Sequence, residues 1–439
     1  MAKLNIAYIG GGSTRAPGTV ASFIRHHARF DGSTITLIDL DAERLSIVRT
    51  IAEKMARNAG ADIQVRATTD RRAGLEGAQA ILTSYRPGNF EARVLDERIP
   101  LSHGVIGQET QGPGGFFMAL RSIHAMKGIL ADIAAVCPGA RLYNYTNPIN
   151  IVSQAITTHS PQEVISLCEG PITFGRETVK SVGLDPERLD AVMIGLNHAC
   201  WSVRHEYDGQ DVLPLLDAAL DEDRRTPRLS AFDRARLELA CTVRSLPAAY
   251  MQYYFTREEV LREQQAKPTT RAQDILAEAP AYWRHYREQA ASEHPVLDPK
   301  LSRGGIFELE LAVDVMAAIE NDSHEVWPVN VPNQGALPDF APDQVVEVPA
   351  LCTRHGAAPL VQPRLPQAVR PLMQHLAEYQ RLAADAAWSG SRREAIQALT
   401  ANPLVPGLAM AATLFDEMSA AQAQWLPRRL GGQLEGADA

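Results

Sequence analysis

The residues Gly10-Gly11-Gly12-Ser13-Thr14-Arg15-Ala16-Pro17 have the types and order needed to hold a pyrophosphate. They follow an apolar run, Leu4–Ile9, and a glycine turn between a strand and a helix lets phosphate oxygens meet bare backbone N–H groups. Gly10, Gly11, Gly12, Ser13 and Thr14 are therefore candidate cofactor contacts. A second apolar run ends at Asp39, whose carboxylate suits ribose hydroxyls and disfavours a 2′-phosphate, so NAD is expected over NADP. A glycine turn alone is a weak signal, since any tight strand–helix turn uses glycine. Strand, turn, helix, strand and acid in this order is a stronger one.

The elements that would carry this site alternate. Strands are expected over Leu4–Ile9, Thr34–Asp39, Ile63–Ala67, Ala80–Ser84, Arg141–Tyr145 and Val164–Leu167, separated by helical patterns, which is how a parallel βαβ sheet reads. Between the second and third, Leu45, Val48, Ile51, Ala52 and Met55 recur at helical spacing, and Asp41 is placed to cap that helix. Beyond Leu213 the pattern changes to long amphipathic helices with few strands, at Leu229–Arg244, Thr269–Glu288 and Leu365–Trp388. The fold class is α/β, with a Rossmann-type doubly wound domain over 1–196 and a helix-rich α+β catalytic domain over 197–439. The boundary is placed near Leu196–Trp201, and a frayed tail is expected from Gly431.

Composition narrows the function. With 439 residues, 45% of them hydrophobic and 22% charged, the chain has the composition of a globular enzyme of two lobes. A net charge of −9 offers no general attraction to nucleic acid or an anionic membrane, so any substrate phosphate needs local arginines. The 5 cysteines, at 137, 168, 200, 241 and 352, lack paired spacing and read as reduced thiols, so a cytoplasmic location is expected. No apolar run approaches the ~20 residues of a membrane span, and no secretory signal is expected ahead of the first strand.

Further segments carry a resemblance. They are Thr69-Asp70-Arg71-Arg72, Tyr85-Arg86-Pro87-Gly88-Asn89, Asp96-Glu97-Arg98-Ile99-Pro100-Leu101 and Gly107-Gln108-Glu109-Thr110-Gln111-Gly112-Pro113-Gly114-Gly115. Asn144-Tyr145-Thr146-Asn147-Pro148, Leu167-Cys168-Glu169-Gly170-Pro171 and Gly195-Leu196-Asn197-His198 follow, then Tyr250-Met251-Gln252-Tyr253-Tyr254, Thr270-Arg271-Ala272 and Asn330–Pro349. In this order and spacing, over nearly its whole length, the chain resembles glycoside hydrolase family 4. The resemblance implies a fold shared with lactate and malate dehydrogenases, a homodimer or homotetramer, and a small sugar glycoside, with or without a 6-phosphate, as substrate.

It also implies unusual chemistry, outside the two-carboxylate scheme of most glycosidases. NAD oxidises the sugar 3-hydroxyl, the carbon 2 proton becomes acidic, a base removes it, the aglycone is eliminated, water adds and carbon 3 is reduced again. Removing a proton next to a carbonyl needs an electrophile on the oxygen and a nearby base. By resemblance the metal ligands are Cys168 and His198, each expected just beyond a strand. Ligand softness would favour zinc, iron or nickel, so manganese is implied by the family alone. The implied base is Tyr250, with Tyr254 in reserve. Arg86, Glu109 and Asn147 lie in sugar-contacting segments, and Arg271, with Arg93 as a second candidate, would meet a 6-phosphate through the donor fork of arginine.

Three positions depart from the family pattern. Glu169 follows the ligand cysteine where Asn marks phospho-β-glucosidases and Asp, as general acid, marks phospho-α-glucosidases, so Glu169 is a candidate acid. Asn89 replaces a glycine, and Phe307-Glu308-Leu309-Glu310 stands where Tyr-Ser is more usual. The 6-phospho-β-glucosidase-like reading therefore has alternatives: an enzyme for a non-phosphorylated or α-linked sugar, such as an α-glucosidase, α-galactosidase or uronidase; a plain NAD-dependent 2-hydroxy-acid dehydrogenase; or an NAD-binding protein without catalysis.

Overall fold

The computed structural model describes residues 3–303 and 310–435. Six parallel strands, β1 (Asn5–Ile9), β2 (Ser33–Ile38), β3 (Ile63–Thr68), β4 (Ala80–Thr83), β5 (Arg141–Asn144) and β6 (Val164–Ser166), stand in the order 3-2-1-4-5-6. The chain reverses direction across the sheet at β1, the switch point where doubly wound folds place their ligands. Each expected strand is present to within a residue or two of its ends. Their buried runs, such as Ala80–Thr83 with every side chain inside, fit strands covered on both faces by helices. The helix Ala42–Ala59 is capped by Asp41, which accepts from the Arg44 amide, and ends on Gly60 in the left-handed region.

The helices Ala231–Val243, Arg271–Ala291 and Arg370–Trp388 lie where amphipathic patterns place them. Each starts later than expected. The first begins behind the side-chain cap of Ser230, the second with Gln273 Oε1 accepting from the Thr270 amide, and the third puts Pro371 at its second position.

The sheet does not stop at β6. A hairpin of β7 (Leu189–Leu196) and β8 (Ala199–Tyr207), extended by β9 (Gln210–Asp211), joins it through two antiparallel strands, β10 (Glu325–Pro332) and β11 (Val345–Thr353), with β12 (Gly356–Pro359) paired to β11. The seam is narrow. Asn330 pairs with Ser166 and Glu347 with Gly195, one registered pair on each side, while Asn330 and Glu347 face each other within the β10–β11 ladder.

The expected boundary at residue 196 falls in the tight turn of the β7–β8 hairpin, and packing does not divide there. Phe174, Val179 and Leu189 belong to the same apolar cluster as Trp201, Leu216 and Met373. Conversely, Ala383, Leu399 and Phe415 pack with Phe116, Phe117 and Ile151 of the first half. A buried ion pair fastens this return: Arg121 donates to both oxygens of Asp96 at 3.0 and 2.5 Å, and Gln422 donates to Asp96 at 2.9 Å. Bidentate geometry with a further donor is the condition under which a pair this buried is tolerated. Asp96, one of the segments carrying the family resemblance, is thus part of the scaffold.

The tail is ordered further than expected. Arg428 N donates to Leu434 O and Leu434 N to Leu426 O, which ties residues up to Glu435 against the preceding turn. The last residues of that expected tail, 436–439, lie outside the described residues, as do Gly304, Gly305 and Phe307–Leu309.

Candidate active site

The glycine turn closes against the end of β2. Gly10 and Gly11 amides both donate to the Ile38 carbonyl, at 2.9 and 3.1 Å, and the Gly12 amide donates to Asp39 Oδ2 at 2.9 Å. Asp39 Oδ1 accepts from the Leu40 amide at 2.7 Å. Gly10 has φ 98°, and a Cβ there would overlap the Ser84 carbonyl oxygen, so only glycine fits between β1 and β4. Beside Asp39, Leu40 leaves its side chain 95% exposed. A carboxylate next to an uncovered apolar side chain suits a ribose and an adjoining base.

Arg15 follows the turn and reaches across the sheet. It donates to Glu169 Oε1 at 2.6 Å and to Glu310 Oε1 at 3.1 Å, with its guanidinium 4.7 Å over the Tyr145 ring. Glu310 has no exposed side-chain surface and also accepts from Thr19 Oγ1. Of the unusual stretch ending at 310, this carboxylate is the described part. It gives Arg15 a buried partner, and Arg15 in turn draws Glu169 towards the nucleotide turn.

Cys168 stands just past β6, and His198 sits in the β7–β8 turn with φ 62°. β6 and β7 are not neighbours, because β10 and β11 lie between them. The side chains nevertheless meet, with Cys168 Sγ and His198 Nε2 3.6 Å apart. Two ligands at about 2.3 and 2.1 Å from one ion, at a tetrahedral angle, stand about 3.6 Å from each other. Burial pushes the His198 ring down to about 4, with Glu109 and Glu169 opposing, so it is neutral and keeps a lone pair. Burial, aided by Glu347 and Glu169, pushes the Cys168 thiol up, so a thiolate there needs a cation beside it. The pair fits a divalent metal. Among the described residues no third His, Cys, Asp or Glu completes a metal-holding group, which leaves the remaining positions open, as a catalytic site requires.

Tyr250 stacks on His198, ring centroids 4.1 Å apart and 15° from parallel. Burial raises its phenol well above the ordinary value, with Cys168 and Glu109 adding to this and Arg93 opposing. Tyr254 points elsewhere, its hydroxyl donating to Gln111 Oε1 at 2.6 Å. Of the two tyrosines considered for the base, Tyr250 is the one beside the metal pair.

Next to it lies a cluster of arginines. Arg86 is 2.5 Å from Glu109, and Arg93 bridges Glu109 at 2.9 Å and Glu97 at 2.6 Å. The guanidinium groups of Arg86, Arg93 and Arg303 lie 5.3, 6.0 and 5.0 Å from the centre of the Phe90 ring. Burial and the two neighbouring arginines lower Arg303, the mark of a cation crowded by its own kind. Arg271 is exposed at the rim, one residue before Ala272, whose amide donates to Glu97 Oε2 at 2.9 Å. Asn147 completes the approach with a buried Oδ1 that has no partner.

The sequence reading did not single out Arg15, Thr110, Arg303 or Glu347. Arg15, Thr110 and Glu347 lay inside motifs already quoted, but their roles depend on partners far along the chain. Glu347 is buried at the seam, accepts from Asn197 and Asn330 at 2.9 Å each, and is pushed up to about 7 by burial. The Asn197 side chain also reaches Cys168, so the seam supports the metal pair from behind.

A family model for "Family 4 glycosyl hydrolase" matches residues 5–192, and one for its C-terminal domain matches residues 193–405. The chain belongs to glycosyl hydrolase family 4. It is 35% identical to a probable 6-phospho-beta-glucosidase of Bacillus subtilis strain 168, over 97% of this chain and 98% of that one. A 6-phospho-alpha-glucosidase from gut microorganisms, solved in complex with NAD and Mn2+, superposes with a TM-score of 0.84 at 25% identity, covering 97% of this chain and 99% of that one. A lactate dehydrogenase from a deep-sea metagenome superposes with a TM-score of 0.53 at 13% identity, over 89% of this chain and 100% of that one. That last likeness is one of fold alone, and it bears out the dehydrogenase-like architecture. As a family 4 member the chain is a glycoside hydrolase, and the plain dehydrogenase reading falls. No helix among the described residues is long and apolar enough to cross a membrane.

Proposed function

We propose that this enzyme hydrolyses 6-phosphorylated glucosides, in the manner of a 6-phospho-β-glucosidase, with NAD along Gly10–Thr14 and Asp39 and a divalent metal, manganese, on Cys168 and His198. The observation that carries the reading is the cluster of Arg86, Arg93 and Arg303 around Phe90, beside the metal pair. Three guanidinium groups face two carboxylates there, Glu97 and Glu109, and the remaining positive charge suits a phosphate.

When bound, NAD supplies reversible oxidation at sugar carbon 3, and the metal supplies Lewis acidity to the hydroxyl oxygens. The protein does the rest. Arg93, Arg303 and, from the rim, Arg271 hold the phosphate. Arg86, Glu109 and the unpartnered Asn147 Oδ1 orient the sugar hydroxyls. Tyr250, lying against the His198 ring, takes the proton from carbon 2 while the C1–O bond breaks. Its raised phenol stays protonated when alone, so it acts as phenolate only with positive charge close by. The nucleotide site lies in 1–196, and the catalytic tyrosine and Arg271 in 197–439.

A panel of nitrophenyl glucosides, both anomers, with and without 6-phosphate, tests the reading. The 6-phospho-β-glucoside is expected to be cleaved, with kcat/KM at least about 100-fold above its unphosphorylated counterpart, which corresponds to roughly 3 kcal/mol for a charge-assisted contact. Equal rates for the two would refute the phosphate assignment.

Glu169 favours a second reading, an α-linked substrate, because a carboxylate beside the ligand cysteine matches the acid of that branch. Its ion pair with Arg15 argues for another role, since the 2.6 Å contact already engages one carboxylate oxygen and ties it to the nucleotide turn. Glu169→Gln is expected to slow alkyl and nitrophenyl substrates alike. A loss confined to alkyl glycosides, whose leaving group needs a proton, would restore the acid role and with it the α reading.

A further inference from the structure

Three residues of the loop before the helix Gly112–Val136 hold a chain of hydrogen bonds whose direction can be read without seeing a hydrogen. The Gln108 side-chain oxygen accepts from the backbone amides of Thr110 and of Gln111, the latter at 2.7 Å. Two backbone donors facing one atom identify it as the amide oxygen and not the nitrogen. The Thr110 hydroxyl lies 3.0 Å from that same oxygen. An amide oxygen only accepts, so the single hydroxyl proton of Thr110 points to Gln108. Thr110 Oγ1 also lies 3.0 Å from His198 Nδ1. With its proton committed, the hydroxyl can only accept there, and Nδ1 must carry the ring hydrogen. The lone pair is then on Nε2, the nitrogen that stands 3.6 Å from Cys168 Sγ.

We infer that Thr110, oriented by Gln108, is a positioning residue that fixes His198 as the Nδ1–H tautomer and turns its Nε2 lone pair towards the metal position. A ligating histidine commonly gives its other N–H to a carboxylate, carbonyl or water; here the acceptor is a hydroxyl. The loop has little freedom to do otherwise. A Cβ on Gly114 or Gly115 would overlap the Gln108 carbonyl and the Thr110 backbone, so these two glycines let the helix press the loop into place. Thr110 and His198 are each 6% exposed, and Tyr250 covers one face of the ring. Water is thereby kept from replacing the hydroxyl as partner.

The metal part of this inference rests on the ligand assignment proposed above, so the test has two arms. The first uses metal-free protein labelled with 15N at histidine, where long-range NMR correlations distinguish the tautomers. Wild type is expected to show Nδ1–H at His198, Thr110→Ser to keep it, and Thr110→Val to shift the population towards Nε2–H. An Nε2–H ring in wild type, or no change in a folded Thr110→Val, would overturn the inference. The second arm measures manganese(II) binding by the protein with the metal alone. Thr110→Val is expected to bind about 10- to 100-fold more weakly, as for other outer partners of ligating histidines, and Thr110→Ser close to wild type. Wild-type affinity in Thr110→Val with a changed tautomer would overturn the metal part. Wild-type affinity in His198→Ala would instead refute the ligand assignment, leaving the tautomer to be judged by the first arm.

Discussion

Cys168→Ser and His198→Ala are each expected to lose bound manganese and nearly all hydrolysis, a fall of roughly a thousandfold or more, while the protein stays folded. The size follows from what the metal contributes: Lewis-acid stabilisation of charge on a hydroxyl oxygen amounts to several kcal/mol. It also follows from the site. The described residues supply no third His, Cys, Asp or Glu to take over a lost position, and the serine hydroxyl is a far weaker partner for a cation than a thiolate. Metal content by mass spectrometry, rates and circular dichroism on the same samples decide the matter. A full metal complement in either variant would mean that other residues hold the ion. Because the active form of Cys168 is a thiolate, wild type is also expected to lose activity in air and to recover with a thiol reductant plus manganese(II).

Removal of NAD is expected to abolish turnover altogether, and less than one equivalent per catalytic cycle is expected to restore it. In the proposed reaction the sugar is oxidised and reduced again at the same carbon, so the cofactor ends as it began and serves many turnovers. Charcoal-treated enzyme, assayed at rising NAD with absorbance followed for NADH, gives both readouts. Steady NADH accumulation equal to product would contradict the mechanism and point to net oxidation. Full activity of cofactor-free enzyme would contradict it more simply. The geometry of the turn says where the effect arises. Gly10, Gly11 and Gly12 are bonded to the end of β2 and to Asp39, and side chains at these positions would strike Ser84, Leu37 and Asp39. Any replacement that spoils this turn is expected to mimic cofactor removal.

The six parallel strands, the cap at Asp41 and the glycine turn were legible in the amino-acid sequence because each depends on residues close together in the chain. A buried parallel strand is a short apolar run, a cap is a side chain three residues from its amide, and a phosphate turn is glycine between strand and helix. The ordered run of family motifs was legible for a different reason: it is a pattern of residue types, and it pointed to Cys168, His198 and Tyr250 without saying how they meet.

How they meet was decided by tertiary structure alone. Cys168 and His198 converge across two intervening strands supplied by residues 325–353, which local patterning presented only as part of a helix-rich half. Arg15 finds Glu310 almost three hundred positions away, and the same guanidinium holds Glu169 beside the nucleotide turn. Arg303, far along the chain, joins Arg86 and Arg93 around the Phe90 ring. Tyr250 and Tyr254, four residues apart, are equivalent on paper; one lies on the His198 ring and the other bonds Gln111. Periodicity and propensity report the near neighbours along the chain. The charge, hydrogen bonding and burial that make a residue reactive come from neighbours in space, and those exist only once the sheet has closed its seam at Asn330 and Glu347.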